Sequence, residues 1–177
     1  MSRQTVIIAG VAGSGKSTLG RAVARVLGLP LVDLDSVTNP LLDALTTTMA
    51  GHWLSGPAAE QVRAGRYAAL RSVSRDIVAT HGAVVVVAPF TAELRGGDAW
   101  EALLQAIAPG EPVVVHLVGD PDLLAERRRR RGEPRDVHRP DSPAVDPVMP
   151  VITLDTALST QQQLTQLLVA LGGQPLQ

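Results

Sequence analysis

Residues 5–27 read Thr-Val-Ile-Ile-Ala-Gly-Val-Ala-Gly-Ser-Gly-Lys-Ser-Thr-Leu-Gly-Arg-Ala-Val-Ala-Arg-Val-Leu. A short apolar run, Thr5 to Ala9, predicts a strand. Leu19, Val23, Val26 and Leu27 then recur at helical spacing from Lys16 to Leu27, and Gly28 and Pro30 stop that helix. Between strand and helix lies Gly10-Val11-Ala12-Gly13-Ser14-Gly15-Lys16-Ser17. Glycine, four residues, glycine, lysine and a hydroxyl residue make a complete P-loop, in the strand–turn–helix context that the motif requires. The glycines let successive N–H groups turn inward toward phosphate oxygens. The helix N-terminus adds the positive end of a dipole. Gly10, Ala12, Gly13, Ser14, Gly15, Lys16, Ser17 and Thr18 are therefore candidate nucleotide contacts. Lys16 supplies a compact mobile charge for the β- and γ-phosphates, and Ser17 a ligand for Mg²⁺. Arginine outnumbers lysine fifteen to one, and the single lysine of the chain is Lys16. Arginine is no substitute at that position, because its planar fork is larger and differently hydrated.

The rest of the chain bounds the setting. It has 177 residues, 45% hydrophobic and 19% charged, with a formal net charge of -1. That suits one packed domain, spanning 1–171, and disfavours intrinsic disorder. The charge balance gives no footprint of a nucleic-acid or membrane-surface binder. There is no cysteine, which excludes disulfides, thiolate zinc sites and cysteine nucleophiles. The longest apolar run, Ala83 to Ala88, is too short to span a bilayer. The glycines and lysine of Gly10 to Ser17 interrupt any signal-like stretch, so a cytoplasmic protein is expected.

Apolar runs at Leu31–Leu34, Ala83–Ala88, Val113–Val118 and Val151–Leu154 predict four further strands. Helical spacing is read at Ala58–Thr80, Asp98–Ala108 (Asp98 as N-cap), Pro121–Arg131 (Asp120 as N-cap) and Ser159–Leu171. Thr38 to Trp53 is ambiguous: Leu41, Leu42 and Leu45 are helically spaced, but three threonines and Gly51 weaken the pattern. Alternating strands and helices imply an α/β fold, a five-stranded parallel sheet with helices on both faces. Gly132 to Pro150 carries five prolines and no apolar period. A loop of that length and composition is a lid, a binding loop or disordered. Residues 172–177 read as a disordered tail.

Asp33-Leu34-Asp35 falls at the carboxyl end of the second predicted strand, where ligands gather in open parallel sheets. On a continued strand both carboxylates would share one side, about 6–7 Å apart. One can serve Mg²⁺ or its water, and the other can accept the proton of an attacking hydroxyl. Alternatively, one of them caps the next helix.

At these residues the chain resembles the small P-loop phosphotransferases that include the gluconate and shikimate kinases, and more distantly the nucleoside monophosphate kinases. The resemblance rests on Gly10 to Thr18, on Asp33 and Asp35, and on Leu117-Val118-Gly119-Asp120 followed by Arg127 and Arg131. It implies strand order 2-3-1-4-5, a three-layer sandwich, and an arginine-bearing lid (about 132–150) closing over ATP. It also implies that Asp35 binds the acceptor hydroxyl, with Asp33 near magnesium. Asp155 and Thr156 resemble the loop that lines adenine in these kinases. The catalytic set implied is Lys16, Asp35, Arg127 and Arg131, with ATP and Mg as cofactors, Ser17 and Asp33 toward the metal, and Arg135 as a further phosphate contact.

Residues 127–131 are five consecutive arginines. Five residues turn through about 500° of helix, so they cannot share one face, but Arg127 and Arg131 can. Such a pair can stabilise charge on a transferring phosphoryl group. The departures from the family matter too. The third strand runs into Ala88-Pro89-Phe90-Thr91, without the Ser-Ala-Leu-Lys stretch of gluconate kinases or the glycine run of shikimate kinases. The acceptor expected is thus a related hydroxyl compound, such as a sugar acid or polyol. Candidate acceptor contacts are Asp35, Arg66, Tyr67, Phe90 and Thr91, with Trp53 and Arg71 nearby; core packing is the alternative for Tyr67 and Trp53, and a solvated side chain for Arg66. The four histidines show no metal-ligand spacing. A nucleotide, nucleoside or antibiotic kinase is the close alternative. A P-loop switch or accessory ATPase acting on a protein partner is the alternative of another class. The partner expected is a small hydroxylated molecule, not a nucleic acid or a membrane, with the chain a monomer or homodimer.

Overall fold

The computed structural model describes residues 4–46, 52–132 and 145–172. Its strands are β1 (Val6–Gly10), β2 (Leu31–Asp33), β3 (Val85–Val87), β4 (Val113–Val118) and β5 (Ile152–Asp155). They form one parallel sheet in the order β2-β3-β1-β4-β5. The helices are α1 (Lys16–Leu27), α2 (Leu34–Leu45), α3 (Ala59–His81), α4 (Gly97–Ile107), α5 (Pro121–Arg131) and α6 (Thr160–Ala170). The α/β architecture and strand order expected from the sequence are those observed.

Every residue of β1 is buried, because the sheet is covered on both sides. Ile7, with Val84, Val86 and Val114, packs under Leu70 of α3 and Leu103 and Ile107 of α4. Val6 and Ile8 point the other way, onto Leu19 and Val23 of α1 and Leu164 and Leu167 of α6. Two-sided burial removes the polar alternation of a half-exposed strand, and each enclosed Val, Ile or Leu contributes about 1.5–3 kcal/mol. The α1 stripe is narrower than expected, since Val26 is exposed.

The second strand ends earlier than its apolar run suggests. Asp33 is extended, and its Oδ1 accepts from the N–H groups of Asp35 at 3.0 Å and Ser36 at 3.5 Å. Satisfying those two otherwise unpaired donors starts α2 at Leu34. Asp35 therefore lies in a first helical turn, not on a strand beside Asp33, and the ambiguous region resolves as helix as far as Leu45. Asp98 is likewise not a cap: Gly96 holds that position and Asp98 lies in the first turn of α4, where its charge still suits the dipole. Asp120 does cap α5, accepting from Asp122 N–H at 2.8 Å and Leu123 N–H at 3.2 Å.

Of the expected lid, residues 133–144 lie outside the described residues, Arg135 among them, as do residues 173–177 of the tail. The C-terminal part of that expected lid is anchored to the core. Val145 is buried in the core, and the Val148 N–H donates to the Leu94 carbonyl at 3.0 Å.

Candidate active site

The carboxyl ends of β1, β2 and β3 open on a cleft of about 250 Å³, lined by the P-loop, Asp33, Asp35, Pro89, Arg127 and Arg131. Gly13 and Gly15 have φ of +85° and +87°, a region that side chains resist. A Cβ on Gly13 would also meet the Leu124 carbonyl at 2.7 Å. Gly15 stands at the N-cap of α1 with no side-chain cap, so the helix start faces the cleft with its own N–H groups. Lys16 Nζ donates to the Val11 carbonyl across the loop at 2.8 Å. Ser14, at 1% exposure, has a hydroxyl with no hydrogen-bond partner among the described residues.

The two acidic residues have different settings. Asp33 is buried, with Oδ1 committed to the cap of α2 and Oδ2 without a partner among the described residues. Asp35 is half-exposed, and its Oδ1 meets Arg66 Nη2 at 2.6 Å. The same guanidinium donates from Nη2 to Asn39 Oδ1 at 2.9 Å and from Nε to Thr38 Oγ1 at 2.8 Å. It also stacks 4.7 Å over the Trp53 ring, whose Nε1 donates to Asp43 Oδ1 at 3.0 Å. Arg66 was a candidate acceptor contact; the structure holds it as the hub of this network. A second hollow of about 420 Å³ adjoins the cleft, sharing Ser17, Thr18, Asp33, Asp35 and Arg131 and reaching Arg21, Asn39 and Asp43.

Tyr67 and Phe90, the other aromatic candidates, lie in the core rather than on the cleft wall. Tyr67 is 8% and Phe90 0% exposed. The Tyr67 hydroxyl accepts the Phe90 N–H at 3.1 Å, and burial, followed by the nearby Glu93 charge, pushes the phenol well up. That bond braces Phe90, a non-glycine residue at φ +52°. Thr91 Oγ1 accepts from Arg63 Nη2 at 2.9 Å. Behind them Glu93 is buried with Oε2 unpartnered among the described residues. Burial raises its pKa, opposed by Arg63 and Arg71.

The five arginines divide by position. Arg127 and Arg131 both line the cleft beside the P-loop, on one face as their four-residue spacing suggests. Arg129 and Arg130 pair with Glu126 at 2.7 and 2.8 Å on the exposed side. The stem of Arg128 packs close to Gly13. Asp155 and Thr156 stand at the end of β5: Asp155 Oδ1 accepts from Ala157 N–H at 2.7 Å, and Thr156 is buried against Gly119.

The donor set suits Mg²⁺, which keeps several waters and takes one or two carboxylates together with phosphate oxygens. Asp33 Oδ2 and the Ser17 hydroxyl, both on the cleft, could supply such protein ligation. Among the described residues no group of three or more His, Cys, Asp or Glu side chains could hold a metal by itself. No helix there is long and apolar enough to cross a membrane.

Asn39 and Asp43 were not anticipated. They follow Asp35 at i+4 and i+8, a single helical face, which becomes legible once the helix is started at Leu34.

Comparison with known proteins agrees with this geometry. A family model described as AAA domain matches residues 6–146. Shikimate kinase of Caulobacter vibrioides is 29% identical over 172 residues, 97% of this chain and 76% of that protein. A gluconokinase from Sinorhizobium meliloti 1021 superposes with a TM-score of 0.64 at 23% identity, covering 97% of this chain and 93% of that one. The APS kinase of Mycobacterium tuberculosis, in complex with AMPPNP and APS, gives 0.64 at 20% identity, covering 98% of this chain and 100% of that one. With a complete P-loop at the end of β1 and the family match running through the whole cleft, the chain belongs to the AAA domain family.

Proposed function

We propose that this protein transfers the γ-phosphate of ATP to a hydroxyl of a small hydroxylated molecule. The observation that carries the reading is convergence: Lys16, Asp33, Asp35, Arg127 and Arg131 line one cleft. In this reading the P-loop N–H groups and Lys16 hold the phosphates, and Asp155 and Thr156 border the base. Ser17 and Asp33 Oδ2 hold magnesium, which when bound supplies neutralising charge to the phosphates. Asp35 orients the acceptor hydroxyl and takes its proton. Arg66 keeps that carboxylate in place, and Arg127 and Arg131 stabilise charge on the transferring group. Thr91 borders the acceptor side, and a cytoplasmic location belongs to the same reading. A switch ATPase has no need of a carboxylate held in this way beside the phosphate site.

The test is ADP release with and without pooled sugar acids, polyols, amino sugars and nucleosides. Acceptor-dependent release is expected, and Lys16→Ala should lower it by ~10²–10³-fold. Lys16→Arg should fail as well. Hydrolysis that responds to a protein partner and to no acceptor would turn the assignment toward a switch.

A further inference from the structure

The hollow beside Asp35 carries a statement about the acceptor that the P-loop cannot make. Arginine recognises a carboxylate through two parallel N–H groups, along either its Nε–Nη2 edge or its Nη1–Nη2 edge. Both edges contain Nη2. In Arg66 the two Nη2 hydrogens are spent on Asp35 Oδ1 and Asn39 Oδ1, and Nε–H on Thr38 Oγ1. One face of the guanidinium is covered by Trp53, and the side chain is only 10% exposed. Arg66 is thus built into the wall and offers no bidentate edge to an incoming acid.

What the wall does present is complementary to hydroxyl groups. Asp35, Asn39 and Asp43 lie four residues apart on α2 and all border the hollow. Asn39 is 3% exposed, and its carbonyl is oriented by Arg66. Its Nδ2 is left buried with no hydrogen-bond partner among the described residues. An orphaned buried donor costs free energy until something accepts from it. A hydroxyl both accepts and donates, so its oxygen can take Asn39 N–H while its proton goes to a carboxylate oxygen. Three carboxylates, Asp33, Asp35 and Asp43, border this hollow with Arg21 and Arg131, and Arg131 also lines the phosphate cleft. An acceptor acid there would meet three carboxylates against two guanidiniums.

We propose that the acceptor is an uncharged polyhydroxy compound, a polyol or neutral sugar, and not a sugar acid. Asn39 hydrogen-bonds it, and Arg66 is the positioning residue for Asp35 and Asn39. This rests on the phosphotransferase reading above. The experiment is ADP release at saturating magnesium and ATP with three acceptor sets at equal concentration: neutral polyols and sugars, hydroxy and sugar acids, and amino sugars. The neutral set should exceed each of the others by about tenfold, the order of one lost hydrogen bond or one buried like-charge contact. For the best neutral acceptor, Asn39→Asp keeps an oxygen toward Arg66 but removes the donor, and should raise KM about tenfold. Arg66→Lys should lower kcat through the displaced Asp35 and raise that KM through the displaced Asn39, whereas Asn39→Asp acts mainly on KM. Calorimetric ATP affinity equal to that of the unaltered chain shows that each variant is folded. Preference for the acid set or the amino set, or an unchanged KM in Asn39→Asp, overturns the inference while the kinase reading stands. ATP binding with no stimulation by any of these sets or by nucleosides overturns the kinase reading itself, and this inference with it.

Discussion

Asp33 is proposed to serve two tasks through two different oxygens, and this makes them separable. Oδ1 caps α2 through Asp35 N–H at 3.0 Å and Ser36 N–H at 3.5 Å, while Oδ2 is buried without a partner among the described residues. Asp33→Ala removes both oxygens. Loss of an N-cap side chain costs about 1 kcal/mol, within a range of roughly 0.5–2. In a chain of this size each kcal/mol lowers Tm by about 2–4 °C. Asp33→Asn retains one oxygen for the cap, so its Tm should stay within about 1 °C of the unaltered protein. It replaces Oδ2 by an NH₂ that cannot ligate a cation. Removing one of so few protein ligands should raise the magnesium concentration for half-maximal ADP release at least about tenfold, equivalent to about 1.4 kcal/mol. Thermal melts and magnesium titrations of both variants check this. Asp33→Asn with unaltered magnesium dependence and turnover would refute the metal role and leave Asp33 a helix cap only. Asp33→Ala with an unaltered Tm would refute the cap.

Asp35→Asn should reduce kcat by roughly 10²-fold or more with ATP affinity retained, read from initial rates and calorimetry; full turnover would remove Asp35 as the base. Gly119→Ala should destabilise the chain by about 1–3 kcal/mol through overpacking, visible in thermal melts, because its Cβ would fall on the Thr156 Oγ1 position. Glu93 has a raised pKa through burial, so its protonated form is favoured in the fold. The stability it contributes is present below the ordinary carboxyl range and is lost as pH rises through the raised value. Melts of Glu93→Gln from about pH 4 to about pH 8 should lack that decline and show the variant the more stable at the neutral end; parallel profiles would count against a buried, strained carboxylate.

The P-loop, the strand before it and the helix after it were legible because neighbouring residues encode them. Glycines that permit positive φ, one lysine and an apolar stripe all act within a few residues of one another. The spacing of Arg127 and Arg131 was readable for the same reason: helical periodicity puts residues four apart on one face, and α5 presents that pair to the cleft. The order of the sheet came from the resemblance to the small P-loop phosphotransferases, not from periodicity or spacing. The start of α2 was misplaced because two local tendencies compete over Leu31 to Ser36, apolar extension and capping by Asp33. Which prevails is settled by the sheet, whose β2–β3 register ends at Asp33 and Val87. That boundary concealed the face shared by Asp35, Asn39 and Asp43. By sequence Tyr67 suits either the cleft or core packing and Phe90 the cleft; the Tyr67–Phe90 bond, spanning 23 positions in the chain, belongs to the core. The Asp35–Arg66 pair joins residues 31 apart. No periodicity relates such positions; Asp35 and Arg66 meet because α3 packs against α2, and Tyr67 meets Phe90 because α3 also reaches the segment after β3. Spacing within one element thus sets which side chains share a face. Whether that face meets solvent, phosphate or a buried arginine depends on how separate elements pack, a matter of tertiary contact and desolvation rather than of adjacent residues.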